Sequence, residues 1–172
     1  MGGNIDNYNP FATAIHRKTL SVPMKILEEK GLLNGKIIDY GCGHGSDCRL
    51  LLEKGYNIVA YDKYNELYKT DSLLEDNYDI VVCNYVFNVI PKDEHKELLE
   101  LLKTLGKEIY ISVRSDVKAI KPSWVYCEEK DVYITTSNTY QRFYTEQMIE
   151  DYFGEVEFIV SNSSLRLFRL IV

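Results

Sequence analysis

Apolar residues fall in short runs divided by polar and glycine-bearing stretches, and two spacings alternate along the chain. Residues 11–34 carry a helical pattern with a break near Pro23; Met24-Lys25-Ile26-Leu27-Glu28-Glu29-Lys30 has apolar positions on one helical face and stops at Gly31. Lys36-Ile37-Ile38-Asp39-Tyr40 is a short buried strand followed by a glycine loop, Gly41 to Gly45. Ser46 is placed to cap the next helix, Asp47 suits its first turn, and Leu50, Leu51 and Leu52 carry it towards Gly55. Asn57-Ile58-Val59-Ala60-Tyr61 reads as a second strand ending at Asp62, and a short third strand is expected near Leu67-Tyr68. Asp79-Ile80-Val81-Val82-Cys83 is a fourth strand. Pro91 opens a helix that runs through Leu105 and closes at Gly106, and Lys107 to Val113 gives a fifth strand.

The alternation breaks at 114–144. Val125-Tyr126-Cys127 and Val132-Tyr133-Ile134-Thr135 flank the charged Glu128–Asp131, which predicts a hairpin. A helix from Thr145 to Phe153 follows, with Thr145 as its cap. Val156 to Val160 and Leu165 to Val172 form two last strands, antiparallel because Ser161-Asn162-Ser163-Ser164 turns the chain between them. The expected architecture is a single α/β domain over 1–172 with three layers. A helical cap spans 1–34, its first ten residues a polar arm, and an insertion spans 114–144. No repeat or linker divides it.

Composition narrows the setting. The chain has 172 residues, 45% hydrophobic and 27% charged, typical of one soluble domain with a real core. No run approaches the roughly 20 apolar residues of a membrane span. Met1-Gly2-Gly3-Asn4-Ile5-Asp6 lacks a signal-peptide core, and Asp6 spoils a myristoylation pattern. A cytoplasmic protein, monomer or homodimer, is expected. Cys42, Cys48, Cys83 and Cys127 follow no paired pattern and are read as thiols. Cys42, His44 and Cys48 cluster without a CxxC or a second ligand group, so no metal is expected. The net charge of −6 disfavours a broad nucleic-acid face but not a local basic patch beside a pocket.

The chemistry concentrates in Ile37-Ile38-Asp39-Tyr40-Gly41-Cys42-Gly43-His44-Gly45-Ser46-Asp47. A strand that runs into a glycine turn and then a helix lets a ligand approach bare backbone. A dinucleotide fingerprint needs a third glycine where Ser46 stands. A carboxylate at Asp39 repels phosphates and suits a ligand with an amino group. Asp62, about 20 residues beyond the loop, can accept from both hydroxyls of a ribose.

This stretch resembles motif I of the class I S-adenosylmethionine-dependent methyltransferases, hydrophobic-hydrophobic-Asp-x-Gly-x-Gly-x-Gly, with Asp62 at the acidic position of motif II. The resemblance implies a Rossmann-like, mostly parallel seven-stranded sheet that ends in an antiparallel hairpin, and S-adenosyl-L-methionine as cofactor. Three further runs are similar to the methyltransferases associated with DNA phosphorothioation systems. They are Ala12 to Pro23, Asn84-Tyr85-Val86-Phe87-Asn88-Val89-Ile90, and Thr135 to Tyr144. The N-terminal run departs from that family's usual form, and His44 stands where an arginine is common. By this likeness Asp39 and Gly41 contact the methionine end, Gly43 lets the cofactor lie against the loop, Tyr40 and Cys42 belong to the same cofactor-binding set, and Asp62 holds the ribose. Lys63 or Tyr64 flanks the adenine, Asp71 bonds its amino group, and Asn84 and Tyr85 face the transferable methyl.

Methyl transfer from a sulfonium is a direct displacement, so alignment and removal of a proton are the work required, and no triad is expected. Asn84-Tyr85-Val86-Phe87 lacks the prolines of amino methyltransferases, and Cys83 lacks the preceding proline of cytosine-C5 enzymes and reads as a buried hydrophobe. Arg17, within His16-Arg17-Lys18, is either an acceptor contact or a solvated helix face. Arg114, Tyr140 and Arg142, with Trp124, Tyr126, Tyr133, Phe143 and Tyr144, either hold a base or pack an extra hairpin. His95 reads as a surface residue. The function expected is methyl transfer to a small polar, nucleotide or nucleic-acid-related acceptor. The alternatives are a non-catalytic module that binds the cofactor, an enzyme that consumes it without an acceptor, and, disfavoured by Asp39 and Ser46, a nicotinamide oxidoreductase.

Overall fold

The computed structural model describes residues 8–172; most of the expected polar arm lies outside them. A six-stranded sheet forms the centre. It is built from β1 (Lys36–Tyr40), β2 (Asn57–Tyr61), β3 (Tyr78–Asn84), β4 (Gly106–Arg114), and the late strands β8 (Val156–Ser161) and β9 (Leu165–Leu170) in the order β2-β1-β3-β4-β9-β8. The first four are parallel, and β9 is antiparallel to both β4 and β8. Alternation along the strands sorts the core into two layers. Ile37, Ile80 and Val82 pack with α1 (Val22–Glu29) and α2 (Ser46–Glu53) on one face. Ile38, Val81 and Cys83 pack with α3 (His95–Leu105) and α4 (Glu146–Phe153) on the other. Cys83 is fully buried, as the sequence implies.

The sheet has six strands, not seven. Residues near Leu67-Tyr68 form no strand, because Asn65 turns the chain there: its side-chain oxygen accepts from the Leu67 N–H at 3.1 Å, and its carbonyl accepts from Tyr68 and Lys69. Leu67 is left on the surface, and a short 3₁₀ turn at Asp71–Glu75 leads into β3. The helical stretch expected over 11–34 also shrinks. Only a 3₁₀ turn at Pro10–Thr13 and α1 are helical, and Pro23 lies in the first turn of α1, where its missing N–H costs nothing. Residues 14–21 form neither helix nor strand, bend at Lys18 and Thr19, and make up most of a strap. Gly45, with φ 68°, rather than Ser46, stands at the N-cap of α2. The Ser46 hydroxyl oxygen instead accepts from the Arg17 N–H at 3.1 Å.

The 114–144 segment holds the expected hairpin, β5 (Val125–Cys127) with β6 (Val132–Ile134), and adds β7 (Tyr140–Gln141) to make a separate antiparallel sheet. Thr145 caps α4 by accepting from the Met148 N–H at 3.1 Å. His95 is buried, 3% exposed, not on the surface. Arg142, 2% exposed, approaches its Nε2 at 2.9 Å. Burial and that guanidinium push the His95 pKa down to about 3, so the ring is neutral. No helix among the described residues is long and apolar enough to cross a membrane.

Candidate functional site

In open α/β sheets the binding crevice lies beyond the carboxyl ends of the strands, where the strand order reverses. Here β2 lies on one side of β1 and β3 on the other. A cavity of about 430 Å³ opens there, within the size range of cofactor pockets. Asp39, Tyr40, Gly41, Cys42 and Gly43 line it from β1 and its loop. Asp62, Lys63 and Asp71 line it beyond β2, and Asn84 and Tyr85 at the tip of β3.

The loop keeps its shape by contacts with the chain beyond β2. Gly41 and Cys42 donate their N–H groups to the Tyr61 carbonyl at 2.8 and 3.1 Å. The Gly43 N–H donates to Asp62 Oδ2 at 2.8 Å, and Asn65 Nδ2 donates to the Gly43 carbonyl at 2.8 Å. Gly41 has φ 76°, and a Cβ there would lie 2.2 Å from Val86 Cγ2, so only glycine fits. A Cβ on Gly43, φ 57°, would press Ala14 Cβ of the strap at 2.9 Å.

Two carboxylates differ in their surroundings. Asp62 accepts from the Gly43 and Tyr64 N–H groups, each at 2.8 Å, and burial still raises its pKa. Asp39, 4% exposed, has no hydrogen-bond donor among the described residues. Burial first, then Asp47 and Asp62, push its pKa well above the usual carboxylate range. A buried, unpartnered acid lining a cavity calls for a cationic ligand group. Asp71 accepts from the Tyr61 hydroxyl at 3.1 Å, and Lys63 lies 3.6 Å from Glu94.

Asn84 and Tyr85 are held by β4. Ser112 Oγ donates to Asn84 Oδ1 at 2.8 Å, while Asn84 Nδ2 is buried without a partner. The Tyr85 N–H donates to the Ser112 carbonyl at 2.9 Å. Tyr85 has φ 61°, a strained conformation for a bulky residue that costs of order 1–3 kcal/mol and recurs at functional sites.

The strap from Tyr8 to Ser21 covers one wall and contributes Phe11, Ala14, Ile15 and Arg17 to the lining. At one end the Ser21 N–H and hydroxyl donate to Asp47 at 2.7 and 2.5 Å. At the other, the Tyr8 hydroxyl donates to Glu94 at 2.7 Å and lies 3.2 Å from the Tyr64 hydroxyl. The His16 ring stacks on His44 at 3.6 Å. Sequence reasoning missed Phe11, Ala14 and Ile15 as strap residues on the wall, Glu94 as the strap's anchor, and Ser112 as the group that holds Asn84. For Phe11, Ala14 and Ile15, the only signal was apolar residues within an otherwise polar N-terminal run.

The residues named from the insertion fall elsewhere. Arg142 donates to the carbonyls of Lys130 and Asp131 at 2.7 and 2.9 Å, Tyr140 stacks on Tyr8 at 4.6 Å, and neither lines the cavity. Arg114 is held by both oxygens of Asp116, at 2.8 and 2.7 Å, and by Gln141 at 3.0 Å, and it too lies off the cavity wall. Of the four residues expected to hold an acceptor, the cavity has Arg17.

The sequence pattern of a family described as a methyltransferase domain matches residues 12–160. The fold is similar to several solved structures. The DhpI–SAH complex superposes with a TM-score of 0.59 at 11% identity, covering 84% of this chain and 81% of that one. A SAM-dependent methyltransferase from Bacteroides fragilis, solved with S-adenosyl-L-homocysteine, gives 0.59 at 16% identity, covering 91% and 79%. The 1,6-didemethyltoxoflavin-N1-methyltransferase of Burkholderia thailandensis, solved with its acceptor and S-adenosylhomocysteine, gives 0.56 at 15% identity, covering 86% and 76%. No curated protein matches the chain.

Proposed function

The chain belongs to the methyltransferase-domain family, and from that premise we propose that it transfers a methyl group from S-adenosylmethionine to a small polar or nucleic-acid-related acceptor. The observation that carries the cofactor reading is Asp39, a buried acid without a donor on the wall of a glycine-lined cavity. The amino acid end of S-adenosylmethionine carries an ammonium that this carboxylate would pair. The bare backbone at Gly41 and Gly43 would lie against the methionine chain. Asp62 has lone pairs left, after Gly43 and Tyr64, for the ribose hydroxyls. Lys63 or Tyr64 would flank the adenine, and Asp71 would bond its amino group.

The cofactor supplies an activated methyl on a sulfonium. This chain's residues supply alignment: Asn84 and Tyr85, fixed by Ser112, form the wall at the strand tip where an acceptor would meet the methyl end. The strap and Arg17 would close the side. The likeness to phosphorothioation-associated enzymes bears on methyl transfer and not on the acceptor, while the similar fold solved with bound 1,6-didemethyltoxoflavin supports a small polar one.

Thermal melting with and without S-adenosylhomocysteine tests the reading, with NAD as control. Ligand at 100 times its dissociation constant should add about 2.7 kcal/mol, a rise of roughly 5–10 °C for this length. No rise with S-adenosylhomocysteine sinks the cofactor assignment.

A further inference from the structure

One stretch of the cavity wall offers hydrogen-bond donors that no acceptor takes up among the described residues. Arg17 lines the cavity, and its guanidinium forms no ion pair or hydrogen bond among the described residues. Asn84 lines it as well, with Nδ2 buried and unpartnered. Tyr85 follows it, and its hydroxyl also has no partner among the described residues. The orientation of the Asn84 amide follows from Ser112. That hydroxyl is fully buried and has no other acceptor among the described residues. Turning the amide over would leave the serine hydrogen unsatisfied. Asn84 is therefore committed to presenting nitrogen. Of the acids nearby, Asp47 is occupied by Ser21, Asp116 by Arg114, and Glu94 by Tyr8 and Tyr64, while Asp39 accepts from none of these three donors and is left for a cationic group.

From this we infer that Arg17, Asn84 and Tyr85 form an oxyanion subsite that takes a carboxylate. Three donors without an acceptor match the lone pairs of a carboxylate and leave an amino group unrecognised. Burial also raises the Tyr85 pKa, so its hydroxyl keeps its hydrogen to donate. A carboxylate acceptor has no proton to lose at neutral pH, so such a subsite needs no base beside it. The inference rests on the methyltransferase reading, under which the same chemistry has two sources: the amino-acid carboxylate of the cofactor, or the carboxylate of the acceptor.

Calorimetric titration of the wild type, Arg17→Gln and Asn84→Asp distinguishes them. Asn84→Asp keeps the bond from Ser112 but replaces the donor with an oxygen. The probes are S-adenosylhomocysteine, 5′-methylthioadenosine (which lacks the amino-acid part), and benzoate with benzamide as its neutral isostere. The benzoate arm is run with and without S-adenosylhomocysteine. If the cofactor is the source, both variants weaken S-adenosylhomocysteine by about tenfold or more, as loss of a charge-assisted hydrogen bond implies, and leave 5′-methylthioadenosine unchanged. If the acceptor is the source, S-adenosylhomocysteine binds all three proteins equally. Benzoate but not benzamide then binds the wild type, and both variants lose it. Either pattern supports the subsite. Unchanged nucleoside affinities together with no binding of benzoate by the wild type overturn it. Failure of the wild type to bind either nucleoside, with benzoate still bound through Arg17, sinks the methyltransferase reading and keeps the subsite.

Discussion

The carboxylate of Asp62 accepts the N–H of Gly43 across 2.8 Å, so the acid at the tip of β2 holds the glycine loop that follows β1. One residue both shapes the loop and lies on the wall of the cavity it encloses. Asp62→Ala strips the acceptor from two backbone N–H groups, those of Gly43 and Tyr64. A loss of about 1–3 kcal/mol follows, together with binding of S-adenosylhomocysteine. Melting and calorimetry on the same variant check both. Normal binding would remove Asp62 from the site.

Asp39 gives a pH dependence with a definite sign. Its folded pKa is raised, chiefly by burial, so the unfolded chain gives up this proton first as pH rises. The contribution to stability is complete below the ordinary aspartate range and declines as pH climbs through the window up to the raised value. Asp39→Asn should therefore melt higher than the wild type near neutral pH in the absence of ligand, by a margin that widens as pH rises through that window. An ammonium ligand favours the ionised form, so the wild type's affinity for S-adenosylhomocysteine should increase with pH across the same window. The variant should bind poorly and without that slope. Equal pH profiles for the two proteins would dissociate Asp39 from the ligand.

Tyr8→Phe removes the hydroxyl that reaches Glu94 and Tyr64 but keeps the ring on Tyr140. The strap then loses the anchor at its Tyr8 end, and S-adenosylhomocysteine should dissociate faster by about tenfold, a hydrogen bond to a charged group being worth about 1.5–3 kcal/mol. Stopped-flow displacement measures it. An unchanged off-rate would mean that ligand exchange does not pass under the strap.

Arg142→Leu separates packing from recognition. The guanidinium is buried and ties the insertion to the end of β3, through the carbonyls of Lys130, Asp131 and Phe87. Its removal should cost about 3–5 kcal/mol, with the affinity of the remaining folded protein for S-adenosylhomocysteine unchanged. Chemical denaturation gives the first number and calorimetry below the transition the second. A stable variant with impaired methyl transfer would restore Arg142 to the acceptor site.

Much of this protein is determined locally. The alternation of short buried strands with helices, the glycine loop after β1, Asp39 and Asp62 at neighbouring strand tips, and the Thr145 cap all depend on residues within a few positions of one another. Periodicity and turn chemistry therefore report them from the chain alone. The tertiary structure decided what depends on distant partners. The strap became a wall of the cavity because Tyr8 meets Glu94 and Ser21 meets Asp47, pairs that no spacing reveals. His95 looks solvent-facing in sequence and Arg142 is a candidate acceptor contact, yet the two bury each other in a neutral-ring pairing. The expected third strand dissolved because the side chain and carbonyl of Asn65 turn the chain where a strand would form. The polarity that Asn84 shows the cavity is set by Ser112 on an adjacent strand. Local propensity fixes where chains turn and bury, but which polar groups are left unpaired is a property of the assembled fold, and those groups choose the ligand.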